Sequence, residues 1–307
     1  MPLHIPTPLI ESASLSRAAG CPVWLKLEAL QVPGSFKIRG IGAACEHYAK
    51  AGAKRFVSSS GGNAGLAVAY AGRLLSIPVT VVVPATASER AKDLLQQEGA
   101  EVIVHGASWQ EANALAQSLL GPHDAFLHPF DNPLLWSGHA TMIDEVAASG
   151  TKPGAVLLAV GGGGLLAGVA EGLVRNGWAD VPLLAVETHG AASLHQSMHS
   201  GQRVTLEAIT SIATSLGARQ VCAQAFALGQ SGRVRSLLVS DQEAVAACTR
   251  FLDDHRLLVE PACGAALAVA YGHVSELSDF ENILVIVCGG ATASTENLRQ
   301  WSSQLAP

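Results

Sequence analysis

AVLLAVGGGGLLAG, residues 155–168, decides the architecture. Six apolar residues read as a buried strand, four consecutive glycines end it, and LLAG opens a helix. Without Cβ atoms, Gly161, Gly162, Gly163 and Gly164 turn the backbone tightly and aim several N–H groups at one point. The helix start adds its partial positive charge there, so the pattern reads as a cradle for a phosphate. A flexible linker is the plain alternative, and four glycines at a strand–helix junction argue against it.

The same unit recurs outward from this stretch. Apolar, β-branched runs predict strands at 23–29, 55–59, 79–84, 101–105, 125–128, 155–160, 182–187 and 283–288. Helical stretches are expected near 38–51, 63–75, 88–98, 108–119, 134–149, 165–176, 241–254 and 262–273. Strands alternating with segments of helical length read as βαβ units, hence an α/β fold with doubly wound, mainly parallel sheets. The four strands between 55 and 128 are expected in one sheet, and those at 155, 182 and 283 in another. A ligand belongs in the crevice where the carboxyl ends of such strands open.

Composition agrees and excludes much else. Of 307 residues 49% are hydrophobic but only 5% aromatic, and 31 are glycine. That rules out disorder and suits a buried parallel sheet with tight turns. Charged residues make up 14% of the chain and the net charge is −6, so neither nucleic acid nor an anionic membrane is an expected partner. Six cysteines form no Cys-x-x-Cys pair, which excludes zinc-ribbon and thioredoxin-type motifs. The start, MPLHIPTPLIES, lacks the pattern of a secretory signal, and no apolar run is long enough to span a bilayer. A cytoplasmic protein with reduced thiols is expected.

The identity of the phosphate stays open at this level. Gly162-x-Gly164-x-x-Ala167 satisfies a dinucleotide fingerprint, and Glu187 ends the next strand about where a ribose-binding acid belongs. Against NAD stands the position of the motif, mid-chain after several βα units rather than at the first turn of its domain. A phosphorylated cofactor such as pyridoxal phosphate is the other reading.

Three further segments bear on chemistry. In VPGSFKIRG, residues 32–40, Lys37 lies between Phe36 and Ile38 at a helix start, where desolvation would lower its pKa and expose a nucleophilic amine. A solvated surface lysine is the alternative. In VSSSGGNAGLAVAY, residues 57–70, serines, glycines and Asn63 gather at a second helix start, suited to a carboxylate or to a simple cap. In ILVIVCGG, Cys288 ends a buried strand. His195 and His199 lack the acidic partner of a metalloprotease helix, Ser137-Gly138-His139 lacks a hydrolase elbow, and no Walker lysine follows the glycines.

These segments converge. SFKIRG, SSSGGNAG, VGGGGLLAG, VETHGAAS, SLGARQVCAQA, SDQEAVAA, LVEPACGAALA and IVCGG occur in this order. Together, from about residue 3 onward, they resemble the catabolic serine dehydratases (L-serine/L-threonine ammonia-lyases), pyridoxal-phosphate enzymes of the tryptophan-synthase β-like fold, PLP fold type II. The resemblance decides against NAD. It implies a large domain of residues 1–44 and 132–307, a small domain of 45–131, and a homodimer.

The resemblance also implies roles. Lys37 would bind the cofactor as an internal aldimine, with Phe36 packed on its ring. Gly161, Gly162, Gly163, Gly164 and Leu165 would hold the phosphate, and Cys288 would face the pyridine nitrogen. Ser60, Gly61 and Asn63 would receive the substrate carboxylate, Asn63 also reaching the ring hydroxyl. Glu187 and Ser193, with carbonyls around Gly161, Ala191, Leu216 and Ala218, would hold a monovalent cation, with K+ as the candidate. The reaction is β-elimination: the freed lysine removes the α-proton, the cofactor phosphate helps the hydroxyl leave, and the product hydrolyses to a ketoacid and ammonia. Serine racemase or a β-replacement enzyme on the same fold is the alternative, and Cys288, where racemases usually place serine, separates the two. Gly61 stands where the family varies between alanine and glycine, which would loosen the pocket floor. No length remains for the regulatory domain of biosynthetic threonine deaminases, so feedback by isoleucine is not expected.

Overall fold

The structure, a computed structural model, describes residues 1–272 and 274–305. Its strands are β1 (Leu9–Glu11), β2 (Val23–Lys26), β3 (Arg55–Ser58), β4 (Val79–Val83), β5 (Glu101–Val104), β6 (Asp124–Phe126), β7 (Ala155–Ala159), β8 (Leu183–Thr188), β9 (Val234–Val239) and β10 (Ile283–Ile286). They form two sheets, in the orders β1-β2-β10-β7-β8-β9 and β5-β4-β3-β6. Every pairing is parallel except β1 with β2. Every residue of β4, β7, β8 and β10 is buried, as a parallel sheet covered by helices on both faces requires.

The eight expected strands and the expected helices appear with small shifts. The strand expected over 23–29 stops at Lys26, and Glu28–Leu30 turn as a short 3-10 helix while Ala29 N–H bonds the Val287 carbonyl. The helix expected over 262–273 is seen as Pro261–Gly272, and residue 273 lies outside the described residues. The sequence reading did not anticipate β1, β9 or the helices Ala13–Ala19, Ser193–Ser200, Ala223–Gln230 and Thr295–Gln304.

The helix Lys37–Lys50 links the two sheets. Its Ile38, Ile41, Ala44 and Cys45 are fully buried in one apolar core with Phe56, Val79 and Val81 of the four-stranded sheet. Its start is clamped to the helix Pro133–Ala148. A Cβ on Gly40 would lie 2.5 Å from the Leu135 carbonyl oxygen, and one on Gly138 would lie 2.4 Å from that of Arg39. Both positions therefore need glycine for the backbones to touch, and that contact fixes the turn preceding the helix. Among the described residues no helix is long and apolar enough to cross a membrane.

Candidate active site

The turn before Lys37 is stitched to the end of β10. Ser35 and Gly289 form an isolated antiparallel bridge, Phe36 N–H donates to the Cys288 carbonyl at 2.9 Å, and Gly290 N–H donates to that of Gly34 at 3.1 Å. Gly34 adopts φ +76°, and a Cβ there would fall 2.8 Å from that of Ala291, so only glycine fits. Residues more than 250 positions apart in sequence thus share one short ladder. Lys37 is the first residue of its helix and half-buried.

The Lys37 amine donates to the Pro129 carbonyl at 2.6 Å and lies 5.1 Å from the centre of the Phe36 ring. Burial pulls its pKa down to about 8, against the weaker opposing pull of Cys288 and Glu260. The residue after Pro129 ties this amine to the glycine run, because a Cβ on Gly162 would sit 2.2 Å from the Phe130 ring. Gly163 has φ +91°, and a Cβ on it would meet Ala225 at 2.3 Å. The quartet is therefore packed backbone to neighbour, not a loose linker. The helix Gly164–Arg175 starts directly from it, and its first N–H groups have no intrahelical acceptors, as at any helix start. An anion fits there.

The serine–glycine turn after β3 lies at the carboxyl end of its own sheet. Gly62 precedes the helix Asn63–Leu75, and no side chain caps that helix, so the simple cap is not what the segment makes. Ser60 and Gly61 are half-buried and Asn63 is buried. A Cβ at Gly61 would point at Val83, 3.1 Å from its Cγ1, rather than into open space. Asn63 turns its Nδ2 to Glu260 Oε1 at 2.6 Å, which leaves its Oδ1 buried without a partner.

Glu260 is the residue that the sequence reading missed. It is 5% exposed and also accepts from the Thr292 hydroxyl at 3.0 Å and from the Ser215 hydroxyl. Burial raises its pKa against those donors and against Lys37. The one signal in the sequence was an acid inside the apolar run LVEPACGAALA. Cys288 is buried, and a hydrogen bond with Cys263, then burial, push its thiol well up, so it stays neutral. Against the Phe36 ring stands His139, with ring centres 4.8 Å apart. His139 Nδ1 accepts from Gly40 N–H at 3.2 Å, and burial keeps the ring neutral.

The cation candidates lie beside the glycine run. Val160 N–H bonds the Val186 carbonyl, which brings the end of β8 alongside the start of the glycine run, and a Cβ on Gly161 would touch the Leu216 backbone at 3.0 Å. Glu187 is fully buried, and its two oxygens accept the N–H groups of Leu194 at 2.8 Å and His195 at 2.7 Å. Burial lifts its pKa to about 7 against those bonds. Its carboxylate is thus turned to the helix Ser193–Ser200, away from the ribose role of a dinucleotide site. Ala191 is buried and the Ser193 hydroxyl has no partner, while the Leu216 carbonyl already accepts Ala218 N–H at 2.7 Å. His195 and His199 lie with ring centres 4.2 Å apart, tilted by 36°, but among the described residues no group of three or more His, Cys, Asp and Glu is placed to hold a metal ion.

A half-buried amine of lowered pKa, a glycine-lined helix start, an orphaned buried amide oxygen and a neutral thiol together fit pyridoxal phosphate. A family profile of pyridoxal-phosphate dependent enzymes matches residues 1–289. The chain is 50% identical to a mouse serine dehydratase-like protein, over 99% of this chain and 95% of that one. It is 48% identical to human L-serine dehydratase/L-threonine deaminase, over 99% and 96%. A fungal L-serine ammonia-lyase from Rhizomucor miehei superposes with a TM-score of 0.94 at 35% identity, covering all of both chains. The chain belongs to the pyridoxal-phosphate dependent enzyme family, among its serine dehydratases.

Proposed function

We propose that this enzyme eliminates water from L-serine, and also from L-threonine, and that the resulting enamine takes up water again to give pyruvate or 2-oxobutyrate and ammonia. The observation that carries the reading is the Lys37 amine, lowered to about 8 and one residue removed from the packing of the glycine run. Bound pyridoxal phosphate would supply the electron sink that acidifies the substrate's α-carbon. The residues supply the rest. Lys37 would hold the cofactor through its amine, and the same amine, when free, would take the α-proton. Its depressed pKa leaves part of it neutral near pH 7, which an ordinary lysine would not offer.

Gly161, Gly162, Gly163, Gly164 and Leu165 would hold the phosphate at the helix start, and Phe36 would back the ring. Ser60, Gly61 and Asn63 orient the substrate carboxylate toward the uncapped N–H groups of their own helix. Cys288 would face the ring nitrogen. A neutral thiol stabilises positive charge there poorly, which favours prompt elimination over the longer-lived carbanion that racemisation needs. The racemase and β-replacement alternatives have less support than the dehydratases that the chain resembles.

Glu187, Ser193 and the carbonyls of Gly161, Ala191, Leu216 and Ala218 suit a monovalent cation such as K+, since one carboxylate among carbonyls matches a single charge. We assign residues 45–131 to a small domain and 1–44 with 132–307 to a large one. The two sheets support this division, and the helix Lys37–Lys50 straddles the first boundary. Six free cysteines support a reducing cytoplasm, and family resemblance supports a homodimer acting in amino-acid catabolism.

The test is direct. Purified enzyme is incubated with L-serine or L-threonine, and ketoacid and ammonia are assayed beside Lys37→Ala. Equal amounts of both products are expected, with the variant slower by about a thousandfold or more. Turnover retained in the variant removes Lys37 from its role.

A further inference from the structure

His128 is a half-buried imidazole that the proposed reaction leaves unused. It stands two residues past the end of β6, where Leu127 N–H still bonds the Val57 carbonyl at 2.8 Å and the chain leaves the four-stranded sheet. Its Nδ1 accepts the N–H groups of Phe130 at 3.3 Å and Asp131 at 2.8 Å. A nitrogen that accepts from two amides carries no proton itself, so the proton of the neutral ring lies on Nε2. Edge-on contacts with Phe126 and Phe130, at centre distances of 6.4 and 4.7 Å, set the plane of the ring. Bonds to the amides two and three places ahead close a tight turn, as an asparagine side chain does elsewhere. That turn is what Lys37 meets. The Pro129 carbonyl takes the amine at 2.6 Å, the Phe130 ring lies against Gly162, and the Phe130 carbonyl accepts the Trp136 indole N–H at 2.9 Å. A single turn thus touches both the amine and the glycine run.

We propose that His128 is a positioning residue for Lys37: its unprotonated Nδ1 closes the turn 128–131, and the closed turn aims the Pro129 carbonyl at the amine and seats the Phe130 ring on the glycine run. This role deepens the pyridoxal-phosphate reading and rests on it. What the turn needs from position 128 is an acceptor at one fixed reach. Asparagine places its Oδ1 as many bonds from the backbone as Nδ1, whereas leucine places a methyl there. A proton on Nδ1 acts as the leucine would. Burial, with help from Lys37 and against Asp131, the two charged groups acting on the ring, lowers its pKa from the ordinary 6.5. The folded turn therefore takes up that proton less readily than the free side chain, and the stability it contributes above about pH 6.5 is lost as the pH falls.

The full-length chain, freed of cofactor, is treated with limiting pyridoxal phosphate and borohydride, and the rate of labelling at Lys37 is followed by peptide mass spectrometry. At about pH 8, His128→Leu is expected to label about tenfold more slowly than the parent, and His128→Asn within about threefold of it. From about pH 8 down to about pH 5, the ratio of the parent's rate to that of His128→Asn is expected to fall several-fold. The cofactor and Lys37 titrate alike in both chains, so the ratio reads the imidazole. If His128→Leu does not fold, as judged by its thermal transition, the asparagine variant and the pH ratio decide alone. Labelling of His128→Leu as fast as the parent, His128→Asn about tenfold slower, or a ratio that is constant with pH overturns the role of His128 while leaving the enzyme's function standing. A parent chain that takes no label at Lys37 overturns both.

Discussion

Lys37 and Arg39 stand two residues apart on one helix, in opposite surroundings. Arg39 is fully buried with all of its donors engaged. Glu28 takes two bonds, at 2.7 and 2.8 Å, Glu145 takes two more, at 2.7 and 2.8 Å, and the Thr141 hydroxyl takes one at 3.0 Å. Lys26 completes the cluster by bonding Glu145 and the Thr7 carbonyl. Burial works to lower the Arg39 pKa, but the two carboxylates outweigh it and the net shift is upward. Lys37 has one carbonyl and a pKa drawn down to about 8, and near it Asn63 Oδ1 and the Ser35 hydroxyl lack partners. Satisfied polar groups hold a fold in place, while unsatisfied ones are held ready for something else.

The sharpest way to break this contrast is to remove each cation in turn. Arg39→Met leaves the fully buried Glu28 without the cation hydrogen-bonded to it and leaves Glu145 only Lys26, and is expected to cost about 3–5 kcal/mol in urea unfolding of the cofactor-free chain. Lys37→Met in the same experiment should cost nothing or stabilise, although it abolishes turnover. Equal destabilisation by both would mean that the two sites are not different in kind.

Titration sharpens the contrast further. Lys37 keeps its proton up to about pH 10.5 when unfolded but only to about pH 8 when folded, so the unfolded chain binds more protons between those values. Stability contributed by this group therefore rises with pH across that window, and Lys37→Met should flatten the rise. Borohydride labelling of the amine by limiting pyridoxal phosphate should climb with a midpoint near pH 8. A midpoint near 10 would make Lys37 an ordinary lysine.

Smaller effects probe the edges of the site. Cys288→Asp is expected to raise D-serine formation relative to pyruvate several-fold, read by chiral chromatography, and an unchanged product ratio would remove the thiol from that role. Gly61→Ala presses a methyl on Val83 rather than on the cleft, so KM for threonine relative to serine should move by no more than about threefold.

Much of the site was legible because its chemistry is written in contiguous stretches. A strand, four glycines and a helix start carry their meaning locally, and so does a lysine between two apolar residues. The strands missed were those with weak local signals. β1 is three residues long, and β9 mixes Arg235 and Ser236 into an edge position. The Arg39 cluster and Glu260 were illegible for another reason. Their partners lie 11, 106 and 197 residues away, at separations no periodicity encodes, and only the crossing of sheets and helices brings them together. Glu260 before a proline looks like any acid at a helix start until the fold closes around it.

The placement of β10 has one more consequence. Residues 283–286 slot into the middle of the large sheet, between β2 and β7, and the ladder that joins Ser35 to Gly289 follows from that insertion. A nascent chain on the ribosome can assemble the four-stranded sheet early, but it has no place to seat a coenzyme until the last strand emerges and threads home.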